Sequence, residues 1–183
     1  SFEKEQYRLQ YPGIAVYIEH PYCDMIPVIP PGLSIPAPTT MEYIEDYFVN
    51  YLMNPELSEN ETYTYASRIQ YPMPKGGTQI ERVINILKET PLTNQAVIEI
   101  GTPEDLDVCL GKDGKLDPPC LRLLDFKVIP AKDDLILTVT AYFRSWDIWA
   151  GFPTNLGGIE LLKQYVASET NLKMVQCMLI VQV

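Results

Sequence analysis

The chain has 183 residues, 46% of them hydrophobic and 21% charged, with a formal net charge of −10. That size supports one domain, residues 1–183, with a core that needs neither disulfides nor metal. The acidic balance excludes a nucleic-acid surface, which requires clustered Lys and Arg. No apolar run reaches the length of a membrane span, and Ser1-Phe2-Glu3-Lys4-Glu5 lacks a signal-peptide layout. Cys23, Cys109, Cys120 and Cys177 show no CxxC spacing, and His20 is the one histidine. Zinc and haem readings are therefore poor, and a reducing, cytoplasmic compartment is expected. The sequon Asn60-Glu61-Thr62 carries no weight without secretory signals.

Gly13 to Glu19 reads as a strand. A connector with Pro21, Pro27, Pro30, Pro31, Pro36 and Pro38 follows. Its interspersed apolar residues predict an extended segment laid over the body. Thr39 and Glu42 form a capping-box pattern, and Met41, Ile44, Phe48 and Tyr51/Leu52 recur at helical spacing until Asn54-Pro55. Glu45 and Asp46 sit mid-helix, by default on a solvated face. Thr62 to Ile69 reads as strand or loop. Thr78 with Glu81 opens a second amphipathic helix ending near Thr90-Pro91. Ala96 to Ile100 is a strand, and Gly111 to Lys115 an exposed turn.

Asp117-Pro118-Pro119-Cys120 then leads into a hairpin pattern. Leu121–Ile129 is mostly apolar, Leu135–Phe143 alternates, and Pro130-Ala131-Lys132-Asp133-Asp134 supplies turn chemistry. If Ile129 pairs with Leu135, Cys120 falls opposite Arg144. A guanidinium so placed favours thiolate over thiol, and the thiolate is the nucleophile. A slip of one residue would separate the two, because side chains alternate between faces. Arg144-Ser145 also offers donors to a phosphate. Asp147 is either a turn residue or a ligand-facing carboxylate. Asn155 is either a helix cap or an amide for a base edge. Pro153-Thr154-Asn155 opens a helix through Ile159, Leu162 and Val166. Gly157-Gly158 in its first turn implies a close approach. Met174 to Val183 closes the chain as a strand.

Pro118-Pro119-Cys120 followed by Arg144-Ser145-x-Asp147-x-x-x-Gly151-x-Pro153-x-Asn155 resembles the signature of thymidylate synthases and their pyrimidine hydroxymethylase relatives. Thr64-Tyr65 with Arg68 and Pro103-x-Asp105-Leu106 extend the resemblance, which covers about Tyr63 to Val175. The Pro-Pro-Cys-Leu-Arg form is most like the short enzymes of methanogenic archaea. The resemblance implies an α+β fold, a large mixed sheet flanked by helices, and a sheet-to-sheet homodimer. It implies reductive methylation of dUMP to dTMP, with Cys120 adding to C6 of uracil. The implied cofactor is 5,10-methylene-tetrahydrofolate or 5,10-methylene-tetrahydromethanopterin. By the same resemblance Arg144, Ser145 and Arg68 contact substrate, Asn155 reads the uracil edge, Asp147 and Gly151 lie against the pterin, and Glu45 is the proton-handling glutamate. The alternatives are a CMP or dCMP hydroxymethylase and an inactive nucleotide-binding homologue.

The chain departs from the family at several points. Leu121 replaces a frequent His and Phe143 a Gln. Asn94-Gln95 stands where two phosphate-binding arginines are usual, leaving Arg68, Arg82 or Arg122 to compensate. The downstream His-x-Tyr of the family has no counterpart before Val183.

Overall fold

The computed structural model describes residues 9–19, 26–59, 61, 63–109, 118–132, 134–170, 172 and 179–182. The strands are β1 (Ala15–Ile18), β2 (Ala96–Glu99), β3 (Leu121–Ala131), β4 (Asp134–Phe143) and β5 (Leu179–Gln182). They form one sheet in the order β1-β5-β4-β3-β2, with β4 and β5 parallel and every other pair antiparallel. The expected mixed sheet and α+β class are thus observed. Of the final strand, Met174–Met178 and Val183 lie outside the described residues. Alternation sorts the central hairpin. Leu124, Phe126 and Val128 on β3 face the core with Leu137, Val139 and Ala141 on β4. Each of these side chains except Ala141 contributes about 1.5–3 kcal/mol through burial.

The hairpin register needs correcting. Ile129 pairs with Ile136, not with Leu135, because the strands run on to Ala131 and Asp134. Ala131 pairs with Asp134 and Lys132 has φ 49°, so the connection is shorter than the five-residue bend expected. A second offset reverses the first. Leu123 pairs with Tyr142 but Leu121 with Phe143, so Arg122 is the extra residue of a β-bulge. Beyond it the Arg144 N–H donates to the Cys120 carbonyl at 2.9 Å. The expected opposition of Cys120 and Arg144 is realised through two displacements that cancel.

The first helix, α1 (Met41–Tyr47), continues as a π-helical turn over Phe48–Met53. Thr40, not Thr39, caps it, its hydroxyl accepting from the Tyr43 N–H at 3.2 Å. Thr39 is buried instead, accepting from the Thr154 hydroxyl at 2.8 Å. Tyr47 and Tyr51, four residues apart across this junction, lie on the same side and their rings stack 5.4 Å apart.

Thr62–Ile69 is also corrected, since Tyr65–Ile69 forms a short helix, α2. Thr64 and Ser67 make its reciprocal capping box, a variant outside the usual Glu/Gln pattern. Helix α3 (Gln79–Glu89) has the expected Thr78–Glu81 box, and α4 covers Asp105–Cys109. Residues 26–38 of the connector have no helix or strand, and Val28, Leu33 and Ile35 are exposed.

Helix α5 (Gly151–Thr170) starts two residues earlier than expected and packs against β4, α1 and α3. Its Gly157-Gly158 pair does mark a close approach. A Cβ on Gly157 would lie 2.6 Å from Ile44 Cγ2, and one on Gly158 would lie 2.7 Å from Tyr47 Cδ1. Both contacts are with α1, so these glycines set how near Tyr47 comes to α5. Gly157→Ala is expected to lower stability by about 1–3 kcal/mol through overpacking. Ile44→Val should recover part of the loss in a urea denaturation series.

Candidate active site

At the open end of the hairpin, Pro118 and Pro119 are buried and Cys120 is half-buried. The two carbonyls of this proline lead-in need donors from elsewhere. Arg144 supplies them, its Nε donating to Pro119 O at 3.2 Å and its Nη2 to Pro118 O. The guanidinium therefore clamps the segment that carries the cysteine. Arg144 and the following Ser145 are both exposed.

A second clamp lies behind it. Asp105 is 4% exposed and accepts from Arg68 Nη2 at 3.1 Å, Arg122 Nη1 at 2.7 Å and the Thr102 N–H at 2.8 Å. Arg68 and Arg122 are anchored to this carboxylate, and Arg82 donates to Gly76 O at 3.1 Å. Two of the three cations expected to supplement the phosphate site thus hold the loop between β2 and β3.

The wall beside Cys120 is aromatic. Tyr65 accepts from the Leu121 N–H at 3.2 Å. Its ring meets Tyr51 edge-on at 5.1 Å, and Tyr51 stacks on Tyr47. Burial pushes all three hydroxyls up, Tyr47 and Tyr65 most strongly. Nearby negative charge raises two of them further, Glu61 and then Cys120 acting on Tyr51, and Cys120 on Tyr65. These tyrosines stay protonated and can donate.

Asn155 closes the far side. Its Oδ1 accepts from Trp146 Nε1 at 2.7 Å, and its Nδ2 donates to the Tyr47 hydroxyl at 2.9 Å. Asp147 has the turn role, Oδ1 accepting from the N–H groups of Trp149 and Ala150 at 2.9 and 2.8 Å. Its carbonyl takes the first N–H groups of α5. Gly151 sits against Trp146 and Asn155, where a Cβ would lie 3.4 Å from Trp146 Cδ1.

Next to this wall opens a cleft of about 580 Å³, lined among others by Tyr43, Asp46, Tyr47, Asn50, Tyr51 and Glu61. Asp46 accepts from Asn50 Nδ2 at 2.8 Å. Glu45, one residue earlier, is exposed and outside the lining. Sequence reasoning did not single out Tyr47, Tyr51 or Trp146. The available signal was the four-residue Tyr43-Tyr47-Tyr51 spacing on one helix flank. His20, Cys23, Cys177 and the sequon's Asn60 and Thr62 lie outside the described residues. Among the described residues no group of three or more His, Cys, Asp or Glu could hold a metal ion. No helix among them is long and apolar enough to cross a membrane.

Residues 51–182 match the family model described as thymidylate synthase, and the chain belongs to the thymidylate synthase family. It is 32% identical over 167 residues to a protein of Methanosarcina mazei named "Putative thymidylate synthase", covering 90% of this chain and 67% of that one. A protein of the same name from Methanosarcina acetivorans is 30% identical over 165 residues, with the same shares covered. The thymidylate synthase of Mycoplasma pneumoniae is 35% identical over 98 residues, 54% of this chain and 31% of that protein. The chain spans about two thirds of the length of the two archaeal relatives. The resemblance to the archaeal enzymes is borne out.

Two outcomes follow from the buried charges and hydroxyls. Asp105→Asn leaves two guanidinium groups without their carboxylate. Each is about a fifth exposed, so the expected loss sits at the low end for a broken buried pair, about 3 kcal/mol by urea unfolding. The raised tyrosines bind their protons more tightly in the folded state. The stability they contribute is present below about pH 10 and lost as pH rises through their folded values. The urea midpoint should therefore fall above pH 10, with phenolate absorbance at 295 nm appearing late for the folded protein.

Proposed function

We propose that this chain carries out the thymidylate synthase reaction, methylating dUMP at C5 to give dTMP, with Cys120 as covalent nucleophile. The observation that carries the reading is the run of contacts from Arg144 through the Cys120 main chain, Tyr65, Tyr51 and Tyr47 to Asn155, with Tyr47 and Tyr51 also lining the neighbouring cleft. Family membership supports a transferase of one-carbon units, a methylene-folate type of cofactor and dUMP as substrate.

In this reading the Cys120 thiolate forms a bond from Sγ to C6 of uracil. The π electrons of C5=C6 move toward C5 and O4, which makes C5 the nucleophile. C5 would then bond the one-carbon unit, the electron pair left by departure of the C5 proton would release that unit from its carrier, and delivery of hydride to the new methylene carbon would re-form C5=C6 as the sulfur leaves with its electron pair. Tyr51 and Tyr65, held neutral, provide hydroxyls beside the reacting sulfur. Arg144 fixes the cysteine segment and, with Ser145 and the spare N–H groups of Arg68, meets the phosphate. The Asn155 amide donates to O4 and accepts from N3–H, while cytosine reverses both positions, which favours dUMP over the hydroxymethylase substrate. For the proton, Glu45 is the carboxylate the family resemblance suggests, and Asp46 is the neighbour that lines the cleft.

A bound methylene-pterin, of tetrahydrofolate or tetrahydromethanopterin, supplies the one-carbon unit and the hydride. The cleft suits such a ring, with tyrosine faces to stack on and Asp46 to accept from its amino and ring N–H donors. The family resemblance also sets Asp147 and Gly151 against the pterin, and neither is among the residues that line this cleft. A sheet-to-sheet homodimer belongs to the same reading. The hairpin face away from the core carries Leu123, Ile129, Ile136 and Tyr142 around Asp125, Lys127, Thr138 and Thr140.

A second reading, a nucleotide-binding homologue without turnover, is favoured by one observation. Asn94 and Gln95 stand in place of the arginine pair, while Arg68 and Arg122 are anchored on Asp105. Incubation with 5-fluoro-dUMP and each methylene-pterin, followed by intact mass, separates the two. The expected result is a covalent adduct of protein, nucleotide and pterin that disappears in Cys120→Ala. A folded protein that binds dUMP but forms no adduct with either pterin supports the second reading.

A further inference from the structure

We infer that Trp146 and Tyr47 are positioning residues that hold the Asn155 amide in one of its two orientations, and that this hold sets the preference between uracil and cytosine. The inference rests on the reading that Asn155 faces the base. A carboxamide turned over by 180° exchanges its donor and acceptor. Uracil presents a donor at N3 and an acceptor at position 4, and cytosine presents the reverse. An amide that turns over at no cost serves both bases equally, whereas one held in place serves one.

The indole N–H is a donor with no acceptor capacity, so the atom 2.7 Å from Trp146 Nε1 must be the amide oxygen. Turning the amide over would set NH₂ against N–H, two donors face to face. Trp146 cannot easily yield, because its ring stacks on Phe143 at 4.1 Å with a 5° interplanar angle and meets Phe152 at 4.6 Å. Tyr47 completes the hold, accepting from Nδ2 at 2.9 Å. Its hydroxyl could rotate to donate instead, so Tyr47 is the adaptable partner and Trp146 the exclusive one. Both amide atoms keep capacity for a ligand, one N–H on Nδ2 and one lone pair on Oδ1. Tyr47 itself is carried to this point by α1, whose approach to α5 depends on Gly157 and Gly158.

Calorimetric titration with dUMP and with dCMP tests the inference in the wild type, Trp146→Phe, Tyr47→Phe and a semisynthetic protein with benzothienylalanine at 146. That last residue keeps the shape and stacking of tryptophan without the N–H. Loss of the donor is expected to shrink the dUMP-to-dCMP affinity ratio about tenfold, chiefly by tighter dCMP binding. Tyr47→Phe should shrink it less. A packing role alone would weaken both nucleotides together. An unchanged ratio in the Trp146→Phe and benzothienylalanine proteins, with dUMP still bound, overturns the hold while leaving the proposed function intact. A wild type that binds neither nucleotide overturns both.

Discussion

One inserted residue in β3 governs the position of every chemical group at the open end of the hairpin. The carbonyl of Arg122 accepts both the Ile100 and the Gly101 N–H at 2.9 Å, which ties the end of β2 to the bulge. Its guanidinium runs back over Gly101 to Asp105, where a Cβ on Gly101 would lie 2.3 Å from the guanidinium carbon. A bare backbone position, a buried carboxylate and an extra strand residue thus form one device. Its effect is to return Leu121 to a partner on Phe143 and Cys120 to Arg144. Without the bulge the alternation of side chains would turn Cys120 toward the other face of the sheet.

The helical layer finishes what the sheet begins. The glycine pair of α5 lets α1 come close, Tyr47 and Tyr51 stack at four-residue spacing, and Tyr47 reaches Asn155. The same stack ends at Tyr65, which is bonded to the backbone just after Cys120. Packing between two helices therefore adjusts both the wall beside Cys120 and the amide opposite. Charge divides the site as well. The Arg144-Ser145 edge suits an anion, while Asp46, Glu56 and Glu61 along the cleft suit a ligand rich in N–H donors.

The hairpin was legible in the sequence because alternation and turn residues are strong local signals. Its register was not, since the turn used fewer residues than its composition suggested and Leu123 beside Leu124 masks the change of phase at the bulge. Thr78–Glu81 was legible because both capping partners belong to the common pattern. Thr64–Ser67 was missed because Ser67 makes the return bond that Glu or Gln usually makes. Gly157-Gly158 announced a close contact without naming its partner, since that depends on tertiary packing. Arg68 looked available to a ligand because nothing local shows that Asp105 is buried beneath it. Glu45 and Asp46 are neighbours in sequence, yet only the direction of the helix face decides which of them lines the cleft.

A crystal structure of the protein with 5-fluoro-dUMP and a methylene-pterin tests the central claim most directly. The account predicts continuous density from Cys120 Sγ to C6 of the base, with the Asn155 amide in the plane of its N3–O4 edge. A nucleotide bound away from Cys120, or a sulfur still packed against the tyrosine wall with the base elsewhere, would contradict it.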